Sequence, residues 1–121
     1  MTPVDVQNTI VRRAGVLATT YRPHSVRLIR LAAQFWPTQG SQVLSLPGQL
    51  SEQLKADVKR RYREEYGFSP VVLMILGALI NALIQWYFSD PEANQRLLEQ
   101  MRVEAKPVED TALSRNGSEP G

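Results

Sequence analysis

The chain contains no cysteine and a single histidine, His24. The first absence excludes disulfides, thiolate zinc sites and a cysteine nucleophile. The second leaves no pair of imidazoles to share a metal, so His24 reads as an ordinary surface histidine. A glycine-rich phosphate loop is missing as well: "GSQVLSLPG" is followed by neither lysine nor helix in the required order. No serine lies in a nucleophile-elbow context. Glu64 and Glu65 are adjacent and diverge by about 100° on a helix, so they do not converge as an acid–base pair. The expectation is a non-enzymatic chain with no cofactor, no metal and no identified small-molecule substrate.

Acidic residues are absent between Asp5 and Glu52, whereas Arg12, Arg13, Arg22, Arg27 and Arg30 fall in that gap. Beyond Phe88 the balance reverses, with seven carboxylates from Asp90 to Glu119 against Arg96, Arg102, Lys106 and Arg115. A net charge of +2 therefore conceals a basic first half and an acidic last quarter, and an anionic surface is the partner that suits the first half. An arginine-bearing, acid-poor start also resembles an organelle transit peptide, but Asp5 interrupts it and no serine-rich run follows. A secretory signal peptide is not expected, because the early apolar segments are short and broken by arginine. With 43% apolar residues, 21% charged and no internal repeat, the composition fits one folded domain with a tail.

Helical periodicity dominates. Val6, Ile10, Ala14, Leu17 and Tyr21 recur at steps of three and four, with Asp5 as N-cap, and Pro23 breaks the pattern. A second helix is predicted from Ser25 to Trp36, stopped by Pro37 and Gly40. Val43, Leu44 and Leu46 suggest a brief extended piece before a Pro47-Gly48 turn. Ser51 then caps a charged helix whose narrow apolar stripe is Leu54, Val58, Tyr62 and Tyr66, ended by Gly67 in the left-handed region. Ser69-Pro70 and Ser89-Asp90-Pro91-Glu92 each read as the start of a helix. The class is all-α with about five helices. Its segments are a basic amphipathic region with a turn-rich linker (1–50), a charged amphipathic helix (51–67), an apolar helix (68–89), an amphipathic helix (90–106) and a disordered polar tail (107–121).

The apolar segment, "VVLMILGALINALIQWYF" from Val71 to Phe88, carries no charge. As a helix it covers about 27 Å, and about 33 Å with its flanks, enough for a hydrocarbon core of ~30 Å. Some ten large apolar residues at about −0.5 kcal/mol each favour insertion by about 5 kcal/mol, against which Asn81 and Gln85 count. Gly77, Asn81, Gln85 and Ser89 stack on one face with Ala78 and Ala82 beside them, while Leu76, Ile80, Leu83 and Tyr87 fill the other. In a bilayer the first face would be a helix-packing face formed by Gly77, Ala78, Asn81, Ala82 and Gln85. In water it would be the edge nearest solvent. Lys55, Lys59, Arg60, Arg61 and Arg63 flank the segment on one side, and Trp86, Tyr87 and Phe88 are placed as interfacial aromatics on the other.

Two expectations follow. The first is a single-pass membrane protein with its N-terminal half cytoplasmic, membrane lipids as partners, and self-association or partner helices on the packing face. The alternative is a cytoplasmic soluble all-α interaction or assembly module that buries the same helix. The run "KRRYRE" could also meet nucleic acid, but Asp57, Glu64 and Glu65 dilute its field and its tyrosines fall on the apolar stripe. Asn116-Gly117-Ser118 matches a glycosylation sequon, a pattern too common to weigh.

Overall fold

The computed structural model describes residues 2–37 and 47–102. Among them the fold is all-α, with six helices and no strand. They are α1 (Pro3–Ala14), α2 (Val16–Thr20), α3 (Arg22–Phe35), α4 (Pro47–Tyr66), α5 (Pro70–Ser89) and α6 (residues 91–102). The extended piece at 43–46, the end of the last predicted helix at 103–106 and the tail at 107–121 lie outside the described residues.

Several helix starts differ from the sequence reading, and the reason each time is local chemistry. Thr2, not Asp5, is the N-cap of α1: its hydroxyl accepts from the Asp5 backbone N–H at 3.2 Å. The Asp5 carboxylate returns to the Thr2 backbone N–H at 3.0 Å, which closes a capping box and holds that carboxyl below its usual range. Gly15, at φ +117°, divides the first predicted helix into α1 and α2, a backbone region that side chains strongly disfavour. Pro23 does not break a helix but sits in the first turn of α3, where its missing donor costs nothing. Pro47-Gly48, read as a turn, opens α4 for the same reason. At the other end of α4, Gly67 adopts φ +84° and its N–H closes on the Arg63 carbonyl at 3.0 Å, as its position in the sequence requires.

α5 is the rod around which the others assemble: α1, α2, α3 and α4 all pack against it. The three-residue link 67–69 turns α5 back along α4, and Ser51 at the start of α4 reaches Asn81 at 3.1 Å. α3 runs in the direction of α5. His24 near its start meets Tyr62 of α4, and Trp36 at its end stacks 4.7 Å from Tyr87. Ten of the twenty α5 residues are buried, including Leu76, Ile80, Leu83 and Tyr87. Their partners are Val6 and Ile10 of α1, Leu28, Ile29 and Ala32 of α3, and Leu54, Val58 and Tyr62 of α4, every one of them buried in the same cluster. Each such side chain contributes about 1.5–3 kcal/mol by leaving water.

α6 closes the far end. The amide of Asn94, itself buried, donates at 2.7 Å to the Trp86 carbonyl, an acceptor at the end of α5 that the Ser89 hydroxyl also reaches at 2.6 Å. Arg102 donates to the carbonyls of Ala33 and Trp36 at 3.1 and 2.6 Å, tying α6 to the C-terminus of α3, where a cation complements the helix dipole.

Candidate functional site

Eight large apolar side chains are exposed among the described residues, and their positions are not scattered. Val16, Leu17 and Tyr21 lie on α2 and in the turn immediately before α3. Tyr66 and Phe68 lie at the end of α4, and Leu73 and Met74 in the first turns of α5. Only Val4, on α1, stands apart from these seven.

A ladder of ring contacts crosses this end of the bundle and links two of the seven, Tyr21 before α3 and Tyr66 on α4. Tyr21 lies 6.4 Å from the His24 ring, the His24 Nδ1 is 2.6 Å from the Tyr62 hydroxyl, and Tyr62 stacks 4.8 Å from Tyr66. Arg27 completes the ladder from α3, its guanidinium 4.6 Å from the Tyr66 ring. His24 is thus half-buried and bonded, not the free surface residue its sequence context suggests. Tyr62 and Tyr66 also part company: the former is buried, whereas the latter is 49% exposed beneath its arginine.

The same end is basic. Arg12 and Arg13 occupy the last turn of α1, and Arg22 and Arg27 the first turns of α3. Lys59 and Arg63 add to them from α4, and all six are exposed. None of the six pairs with a carboxylate among the described residues; Arg22 instead donates to the Asn8 side chain. The other cations of the predicted basic flank are engaged within α4. Lys55 meets Glu52 at 2.7 Å, Arg60 meets Asp57 at 3.5 Å, and Arg61 meets Glu64 and Glu65 at 3.5 and 3.8 Å. Arg60 thus turns toward Asp57, three residues back. The acids Asp90, Glu92 and Glu99 lie at the opposite end, beside and on α6.

Between the end of α4 and the start of α5 lies a cleft of about 370 Å³. Lys59, Arg60 and Arg63 form one side, and Phe68, Val72 and Leu73 the other. A second hollow of about 430 Å³ continues along the two helices past Lys55 and Gly77. Ser69, the N-cap residue of α5, lines the first cleft and makes no side-chain capping bond.

The predicted packing face is split by the fold. Ala78, Asn81 and Gln85 face solvent, Gly77 is half-buried and Ala82 is buried. Asn81 is held by Ser51. The predicted interfacial aromatics lie inside the chain's own packing: Trp86 and Tyr87 are each 4% exposed and Phe88 is half-buried. Tyr87 donates to Gln95 of α6 at 2.7 Å, and burial, with Glu99 adding to it, pushes its phenol above the ordinary range. Among the described residues no group of three histidines or carboxylates is placed to hold a metal.

The sequence reading passed over the apolar members of this end. Val16, Leu17, Phe68, Leu73 and Met74 each fall in a helix or beside a helix end by sequence, and nothing in their spacing says that they share a surface. The clustering arises only when α2, α3, α4 and α5 are brought together. Compared with known protein families, curated proteins and solved structures, the chain matches none.

Proposed function

We propose that this chain is a non-enzymatic helical protein that docks its basic, apolar-studded end on an anionic membrane surface, with α5 kept as its core. The observation that carries the reading is the coincidence, at one end of the bundle, of seven exposed apolar side chains with six exposed cations that meet no carboxylate among the described residues. Each half of that pair suits a bilayer. Shallow insertion shelters Phe68, Leu73 and Met74 at the acyl boundary, while each Lys or Arg near an anionic surface contributes about 1 kcal/mol. The cytoplasmic leaflet, which carries the anionic lipids, is the surface proposed.

α5 is long and apolar enough to cross a membrane, and that favours a second reading in which it spans the bilayer. Energetics weigh against the span. Withdrawing α5 into lipid would return Val6, Ile10, Leu28, Ile29, Leu54 and Val58 to water, at about 1.5–3 kcal/mol each. The gain from inserting the helix is about 5 kcal/mol before its amides are counted. Surface docking leaves the core intact and uses side chains that are already exposed.

Flotation of the purified chain with vesicles tests the proposal. It should rise with vesicles containing phosphatidylserine and stay behind with pure phosphatidylcholine. Binding should weaken as salt increases beyond the concentration at which the screening length falls to about 8 Å. Replacing Phe68 and Met74 together by glutamate should abolish flotation without unfolding the chain, since both side chains are more than half exposed. Equal flotation with neutral vesicles, or an unaffected double variant, would overturn it.

A further inference from the structure

The cleft at the α4–α5 corner is more specific than a general lipid-facing surface needs to be. Lys59 and Arg63 stand four residues apart on α4 and so share one face of the helix. Both are exposed and neither meets a carboxylate among the described residues, although Lys55, Arg60 and Arg61 on the same helix all do. Among the described residues the acids of α4 thus offset every cation of the helix except Lys59 and Arg63, two of the three that border the cleft. Facing them is an apolar wall, with Phe68 66% and Leu73 48% exposed and Val72 buried behind them. One side of the cleft therefore presents positive charge and the other bare hydrocarbon, a few ångströms apart in a space of about 370 Å³.

We propose that this cleft seats one anionic phospholipid of the bilayer. Its phosphate lies between Lys59 and Arg63, and the first carbons of an acyl chain lie against Phe68, Val72 and Leu73. The positive end of the α5 dipole faces the same space and adds to the field that the two cations set up. Nucleic acid offers the same phosphodiester but nothing to cover Phe68, Leu73 and the neighbouring Met74, and the Tyr66 ring already has Arg27 over it. A free phosphate would likewise leave the apolar wall wet. The amphiphile fits both halves of the site. This inference rests on the membrane-surface reading and names the lipid chemistry within it.

The test uses the full chain and soluble probes. Dihexanoyl phosphatidylglycerol below its micelle concentration should shift the backbone amide signals of Gly67, Phe68 and Leu73 saturably. Dihexanoyl phosphatidylcholine and inorganic phosphate should each bind about tenfold more weakly or worse. The double variant Lys59→Gln/Arg63→Gln should lose about thirtyfold in affinity. Arg30→Gln/Arg96→Gln, which removes the same charge from exposed positions outside the docking surface, should lose little. Equal losses in the two variants would overturn the cleft, as would phosphate binding as tightly as the lipid, or displacement of the lipid by a single-stranded oligonucleotide. Flotation of the Lys59/Arg63 variant with phosphatidylserine vesicles keeps the two proposals apart. If it persists while the soluble lipid fails to bind even the unmodified chain, the cleft is refuted and the docking surface stands.

Discussion

Tyr87 carries three contacts at once: the Trp36 ring, the edge of Phe88 at 5.1 Å, and the hydrogen bond to Gln95. It is the residue through which α3, α5 and α6 communicate, and its burial favours the neutral phenol. Because the folded chain holds this proton more tightly than the unfolded one, the stabilisation is fully present below the ordinary phenol value of about 10. It is lost as pH rises through the higher folded value. The midpoint of thermal unfolding should therefore fall with rising alkalinity more steeply in the native sequence than in Tyr87→Phe. Tyr87→Phe should be somewhat less stable near neutral pH, by about 1 kcal/mol, because the Gln95 acceptor loses its donor. Parallel curves through the alkaline range would show that the phenol does not couple to folding. Trp36 poses the converse case: its ring nitrogen is buried without an acceptor among the described residues, and packing against Tyr87 is what holds it.

At the scale of the element, the exposed stripe of α5 changes character along its length. Leu73, Met74 and Ala78 are apolar, whereas Asn81 and Gln85 keep the second half wet. Replacing both amides by leucine should leave the fold in place, since neither is buried, but would extend an apolar ribbon over most of the helix. Concentration-dependent association should then appear in sedimentation velocity without detergent, each added leucine contributing about 1.5–3 kcal/mol if an interface buries it. The opposite result, in which the native chain associates and the variant does not, would give the stripe the helix-packing role read from its small residues and amides. The small-residue face of α5 is split, Ala82 being buried while Ala78, Asn81 and Gln85 face solvent, but the large apolar face of Leu76, Ile80, Leu83 and Tyr87 was legible in the sequence, because a period of 3.6 fixes which residues share a side. So were the glycine stop at Gly67 and the all-α class. Helix starts were less so: Thr2, Pro23 and Pro47 act through first-turn geometry, and proline reads equally well as a breaker or an initiator until the neighbouring backbone is known. The apolar end was not legible at all. It is assembled from residues dozens of positions apart, and no periodicity records a surface that four elements build jointly.

Among the described residues the molecule is polar in the sense of a magnet: exposed apolar groups and arginines that meet no carboxylate at one end, α6 and its acids at the other. The two tryptophans, Trp36 and Trp86, both belong to the second end and are buried there. From Phe68 to Trp86 the chain advances by eighteen residues of mostly α5 helix, about 27 Å. A bundle that rests on a membrane through its basic end therefore holds both indoles well clear of the acyl chains. A chain that threads α5 through the bilayer brings Trp86 to the opposite interface, within reach of lipid. Brominated phosphatidylcholine mixed with phosphatidylserine separates the two arrangements, because bromine quenches indole emission only on close approach. In surface docking, intrinsic fluorescence should be unchanged when the chain binds brominated vesicles, whereas a Phe68→Trp variant should gain an emission component that is strongly quenched. Strong quenching in the native sequence would mean that the core has opened and α5 has entered the bilayer. In that case the apolar end would be the edge of an unfolded bundle, not a docking surface.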